Sequence, residues 1–226
     1  MKLRTYIIVL GLIFGVAFSA QAKKQSLTYK YYEEKTGKQV EEHHLEIKDL
    51  KGDKKIFSRT MDRKKDKLEE EFVVDKNYNT LSVEYKNEVE KTNLNIQREG
   101  NRLFLKGTLN GKALNREIKL DSKPFYFSPK FNLTKFVNTG IKEIRFWTLR
   151  KDEFTKYLMV AKNRGVEKIV IEGKEIEVIK VKYSATGPGA RFYKRTYYYR
   201  KSDGMFVKKV APKKASSFPA ILVDEF

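Results

Sequence analysis

Two aromatic clusters carry the residue types and spacings in this chain that point to chemistry. Phe125, Tyr126 and Phe127 are followed closely by Phe131 and Phe136, and with Trp147 they could line the apolar site that an acyl chain or apolar peptide requires. The same rings could equally fill a core. The second cluster runs Arg191-Phe192-Tyr193-Lys194-Arg195-Thr196-Tyr197-Tyr198-Tyr199-Arg200 and interleaves cations with rings along one strand. There Arg191, Lys194, Arg195 and Arg200 are candidates for holding anions, while the rings could stack sugars. A half-buried strand whose tyrosines pack while Lys194 and Arg195 stretch to solvent has the same pattern.

Other constellations are poorer in chemistry. His43 and His44 are the chain's two histidines, and neighbours on a strand point to opposite faces, so regular β geometry does not let them chelate one metal. No HExxH or DxDxDG pattern adds a ligand set, and no cofactor or metal is expected. Neither a GxSxG elbow nor an SxxK motif follows residue 22, which removes the common serine hydrolases. Glu69-Glu70-Glu71 and Glu88-x-Glu90 could pair carboxylates for glycoside chemistry, but they sit in charge-rich strands where solvated faces are expected. Gly187-Pro188-Gly189 lacks the helix and lysine of a phosphate loop and reads as a tight connection. The chain is expected not to be an enzyme.

The amino terminus supplies an address. Lys2 and Arg4 precede an uncharged apolar run from Tyr6 to Phe18, and Ala20-Gln21-Ala22 is a small-x-small cleavage site, the pattern of a secretory signal peptide. The run is short for a helix that must cross a ~30 Å hydrocarbon core. Residues 1–22 are therefore expected to be a signal peptide, 23–214 one antiparallel β domain and 215–226 a tail, in a periplasmic or secreted protein with no transmembrane span. Without Lys2 and Arg4 the 48 basic residues fall to 46 against 29 acidic ones, formally +17. Such a charge attracts anionic envelope polymers (lipid phosphates, lipopolysaccharide, acidic glycans) before nucleic acid, or simply keeps the protein soluble. The chain has no cysteine, so disulfides and thiolate chemistry are excluded.

The elements that must position these residues are strands. From Leu27 to Val210 the pattern alternates with period two and is broken by turn residues every ~8 to 14 positions, which predicts an all-β meander of about a dozen strands. Asn110-Gly111 marks a hairpin, and Asn163-Arg164-Gly165 reads as a turn between strands at Tyr157–Val160 and Val166–Ile171. Ser128-Pro129 and the stop at Asn138 to Gly140 predict a single short helix over 129–138. A sheet this wide with one apolar face should curl into a half-barrel or open barrel around Phe125–Val137. Phe218 to Val223 is too apolar for free solvation and should dock at an edge or on a partner, since Pro219 argues against a central strand.

Leu27-Thr28-Tyr29-Lys30-Tyr31, Ile144-Arg145-Phe146-Trp147 and the closing hairpin from Tyr199 to Val207 make the pattern resemble secreted bacterial proteins of unknown function. Their fold is similar to that of the periplasmic lipoprotein carriers (the LolA/LolB-like half-barrel). The resemblance implies an antiparallel half-barrel wrapped around helical material, with an apolar cavity that accepts lipid chains in the carriers, and no catalytic residues. This chain departs from the carriers in having one short helix where they have several that form a lid. Three functions follow as expectations: a non-enzymatic binding or carrier protein for a lipid, acyl chain or lipidated partner; a basic envelope protein that binds anionic polymers; and an enzyme without a recognisable motif. An outer-membrane barrel is disfavoured, because Lys180 and Lys182, or Glu175 and Glu177, would charge one strand face and Lys194 another.

Overall fold

In β4 (Lys67–Val74), Leu68, Glu70, Phe72 and Val74 turn inward while their neighbours face out, and β6 (Thr92–Glu99) buries Thr92, Leu94 and Ile96 in the same rhythm. Period-two burial on this scale leaves one apolar face that water must not reach. In the computed structural model, which describes residues 24–32, 38–52, 54–63, 67–171, 173–187, 193–210 and 220–225, that face belongs to one antiparallel sheet of fourteen strands.

The remaining strands are β1 (Lys24–Tyr32), β2 (Gln39–Leu50), β3 (Lys54–Arg63), β5 (Thr80–Asn87), β7 (Arg102–Leu109), β8 (Lys112–Lys119), β9 (Glu143–Arg150), β10 (Thr155–Ile171), β11 (Lys174–Ala185), β12 (Lys194–Arg200), β13 (Phe206–Val210) and β14 (Ala220–Glu225). Their order across the sheet is β8 to β1, then β14 back to β9. The first and last strands of the chain thus meet mid-sheet, and β8 and β9 form the two free edges. The all-β, barrel-like but unclosed architecture expected from the sequence is the one observed. Among the described residues, no helix is long and apolar enough to cross a membrane.

The connection from β8 to β9 fills the concavity. Two helical turns, α1 (Pro129–Asn132) and α2 (Thr134–Val137), replace the continuous helix expected over 129–138. The break at Leu133 has a local cause. The Asn132 side chain turns inward, accepts the Ser128 N–H at 2.9 Å and donates to the Tyr78 carbonyl at 2.6 Å and Thr80 Oγ1 at 3.1 Å. A buried asparagine that serves such partners competes with helix continuation. Just upstream, Tyr126 N–H donates to the Trp147 carbonyl and Trp147 N–H to the Pro124 carbonyl, both at 2.8 Å, so this segment lies along the β9 edge. Thr80 N–H reaches the Phe125 carbonyl at 2.9 Å and ties the same segment to β5. Phe131, fully buried, packs against Tyr29, Phe57, Phe72 and Phe206 with ring centroids 5.9–6.5 Å apart.

Two local expectations are corrected. Asn163-Arg164-Gly165 is not a turn between two strands: β10 runs through it as one 17-residue strand whose register to β11 shifts between Asn163 and Val166. Gly165 sits at φ +92 and donates its N–H to Asn163 Oδ1 at 2.9 Å, the geometry of a bulge that a glycine permits. The apolar tail does dock, but centrally, as β14 between β1 and β13. The described strand begins at Ala220, after Pro219 in the sequence. Tyr29 Oη also donates to the Phe206 carbonyl at 3.0 Å and links β1 to β13 across it. Residues 1–22 and 215–219, which include the expected signal peptide, lie outside the described residues.

Replacing Phe131 by alanine is expected to cost about 3–5 kcal/mol in denaturant unfolding, because it empties the point where both halves of the sheet meet the plug; a loss well under 1 kcal/mol would contradict that placement. Deleting residues 220–226 should abolish the cooperative thermal transition seen by circular dichroism, since it leaves β1 and β13 as unpaired edges. An unchanged melting temperature would refute the central position of β14.

Candidate functional site

The concave face is not completely filled. Between the start of α1 and the inner surfaces of β9 to β12 lies a cavity of about 570 Å³, lined by Phe127, Pro129, Leu149, Tyr157, Met159, Tyr183, Tyr193 and Tyr197, with Lys151 at one side. This volume is in the range of small-molecule sites. Tyr157 and Met159 come from alternate positions of β10, and Tyr183 and Tyr197 from the inward registers of β11 and β12. Tyr183 stacks on Tyr197 at 5.3 Å and meets Tyr193 edge-on at 5.7 Å, so one wall is a run of phenols. Burial pushes the Tyr183 and Tyr197 hydroxyls well above the ordinary tyrosine value, and they remain protonated, able to donate. At the rim Arg150 and Asp152 pair with each other.

A polar cluster adjoins this wall. Arg59 on β3 and Glu70 on β4 are direct cross-strand partners and form a buried ion pair, to which Lys151 adds a second cation on the other carboxylate oxygen. On the β1–β2 side, Lys130 Nζ donates to Tyr31 Oη at 2.6 Å and lies 3.3 Å from His43 Nδ1, while His43 Nε2 pairs with Glu41. These contacts define the neutral tautomer with its proton on Nε2. Burial, and then the charges of Lys130, Arg59, Lys151 and Lys209, push His43 far below the usual histidine value. Burial with Arg59, Lys209 and Lys151 likewise lowers Lys130 well below a normal lysine, and burial with Arg195 brings Lys209 down to about 8. The ammonium groups rest on rings: Lys151 lies 4.7 Å from the Phe127 centroid, and Lys130 and Lys209 lie 5.3 and 5.1 Å from that of Tyr31.

The residues singled out from the sequence have separate fates. Phe127 lines the cavity. Phe125, Phe131 and Phe136 are buried in the core, and Phe136 also borders a shallower hollow of about 330 Å³ beside Ile141 and Ile144. Trp147 donates its Nε1–H to Asp121 at 2.8 Å, with the Lys156 ammonium 5.0 Å from its ring, and does not line the cavity. Lys194 and Arg195 border a different groove, about 440 Å³, together with Lys162, Arg164 and Lys182. Arg200 instead holds Asp203 at 2.6 Å in the following turn. Arg191 lies outside the described residues. Among the described residues, no group of three or more His, Asp or Glu is placed to hold a metal ion.

Sequence reasoning passed over the polar cluster. Glu70 was grouped with solvated carboxylates, yet it is 2% exposed. The missed signal was the alternation itself, because Glu70 lies between inward Leu68 and Phe72 just as Arg59 lies between inward Phe57 and Met61. Inward charges in facing registers of adjacent strands predict a buried pair.

Comparison with known proteins places the fold and stops there. No protein-family model matches the chain, and no curated protein matches it in sequence. Among solved structures, it is similar to a β-barrel-like protein of the domain of unknown function DUF1849 from Brucella abortus, with a TM-score of 0.55 and 10% identity over 91% of this chain and 97% of that one. A DUF1089 family protein from Pseudomonas aeruginosa aligns with a TM-score of 0.46 at 12% identity, covering 77% of this chain and 90% of the other. The hypothetical lipoprotein YmcC from Escherichia coli aligns with 0.37 at 11%, covering 89% and 86%. The first of these supports a bacterial β-barrel-like fold.

The neutral state of His43 has a measurable consequence. The unfolded chain takes up a proton near pH 6.5 while the folded protein resists it, so stability present above that pH is lost below it, by up to ~1.4 kcal/mol per pH unit. Melting temperatures measured from pH 7 to 5 should fall more steeply for the natural protein than for His43→Gln. Parallel curves would show that His43 carries no such penalty.

Proposed function

We propose that this protein is a non-enzymatic, carrier-like binding module that holds the acyl chain of a lipid or lipidated partner in its concave cavity. The observation that carries this reading is the unfilled space itself, walled by Phe127, Leu149, Met159 and a run of tyrosines. An apolar chain entering there leaves water at a gain of roughly 0.8 kcal/mol per buried methylene. The cavity opens to solvent on one side. Lys2, Arg4 and the apolar run that follows them support placing this work in the periplasm or outside the cell.

A second reading draws on the groove beside Lys182 and Lys194. Lys162 and Lys182 are direct cross-strand partners, an arrangement that is unfavourable without an anion between or beside them. Lys162 is answered by Glu143 at 2.9 Å, while the groove's own lining, Arg164, Lys182, Lys194 and Arg195 included, contains no acidic side chain. That favours an anionic envelope polymer as a further partner at this groove.

Native mass spectrometry of the protein purified from its own envelope is expected to find a co-purifying lipid, and Met159→Trp, which fills the cavity, should reduce binding of a dansyl-labelled fatty acid at least about tenfold. Binding unaffected by the filled cavity would remove the proposed site. For the second reading, retention on a heparin column should fall with salt and fall further in Lys182→Gln; retention indifferent to both would dismiss the groove.

A further inference from the structure

The charges beside the cavity, among the described residues, do not balance. Among the described residues, Arg59, Lys130, Lys151 and Lys209 are the cations that act on His43, and Glu41 and Glu70 are the carboxylates paired within the same cluster. Four cations thus face two anions. Arg59 is buried, its Nε has no acceptor, and the three lysines are half-buried, within reach of solvent. Excess like charge in a partly dry interior is costly unless a counter-charge arrives. Burial is the first cause of the depressed Lys130, with Arg59, Lys209 and Lys151 adding to it, and burial with Arg195 brings Lys209 to about 8.

The cluster is joined to the cavity. Lys151 belongs to both, and Lys130 directly follows Pro129 of the cavity wall. We infer that the ligand is a single-chain amphiphile with an anionic head, whose carboxylate or phosphate is held by Lys130, Lys151 and Lys209 while its chain lies along Leu149, Met159 and Tyr183. This rests on the acyl-chain reading above and adds the head group to it. The head would replace repulsion among the ammonium groups with charge-assisted hydrogen bonds, and Tyr31 and Tyr197, both kept protonated by burial, can donate to the same oxygens. A neutral head would leave the cations as they are.

Isothermal titration of the full chain with dodecanoate, dodecyl phosphate and dodecanol separates head from tail, because the three share one chain length. Dodecanoate or dodecyl phosphate should bind at least about tenfold more tightly than dodecanol, the scale of one charge-assisted hydrogen bond. Lys130→Gln and Lys209→Gln should each remove most of that preference, weakening the two anions far more than dodecanol. A carboxylate preferred over a phosphate would point to free fatty acids, and the reverse order to phospholipid-derived chains. If dodecanol binds as tightly as the two anions, the head-group inference falls while the acyl-chain reading stands. If none of the three binds, both fall. If Lys130→Gln does not fold, Lys209→Gln at the edge of the cluster decides the matter alone.

Discussion

Covering the single apolar face of a fourteen-stranded sheet is the constraint on which the rest of this structure depends. Twist makes such a sheet curl, and curling leaves a concavity too wide for the side chains of one wall to reach those of the other. The segment between β8 and β9 settles this by entering the concavity, where Phe131 touches rings from β1, β3, β4 and β13 together. Because the plug is anchored by backbone bonds to β9 and to the start of β5, it also covers part of the exposed β9 edge, which would otherwise invite pairing with another chain. The cavity is what this short plug leaves over: two helical turns fill the β1–β5 side and stop short of β10 to β12.

Much of the architecture was legible in residue pattern. Leu94, Ile96, Phe72 and Val83 announced their strands by alternation, and Ser128-Pro129 announced the helical entry. Order across the sheet was not legible, because nothing in the alternation of β14 says which strands it will join, and a proline beside it argued for an edge. The described strand itself starts one residue after that proline. The bulge in β10 escaped for a similar reason: Asn-Arg-Gly looks the same whether the chain reverses or merely kinks, and the choice belongs to the partner strand. At the site, one aromatic of the expected lining, Phe127, faces the cavity; Phe125, Phe131 and Phe136 pack in the core, and Trp147 on β9 bonds to Asp121. Of the tyrosines that form the wall, Tyr193 and Tyr197 stand in the second cluster, where the rings read as a sugar-stacking surface, while Tyr157 and Tyr183 lie in other strands and carry no such signal. Period two says which face a ring points to and not whether space remains in front of it.

The interior charges are harder to reconcile with stability than any other feature. A core that placed leucine or methionine at the positions of Arg59, Glu70 and His43 would keep the alternation and avoid desolvating three ionisable groups. The pair Arg59–Glu70 offsets its own desolvation in part, with Lys151 on the second carboxylate oxygen, but Lys130 and Lys209 then add positive charge to an interior that the pair had nearly neutralised. Buried groups held against their ordinary ionisation are concentrated where proteins bind or react, and here they adjoin the one cavity between α1 and β9–β12. Packing therefore accounts for the plug, and pairing accounts for Arg59 with Glu70. Among the described residues, the two lysines resting on the Tyr31 ring are paired with no carboxylate, and the proposed anionic head is the partner that would answer them.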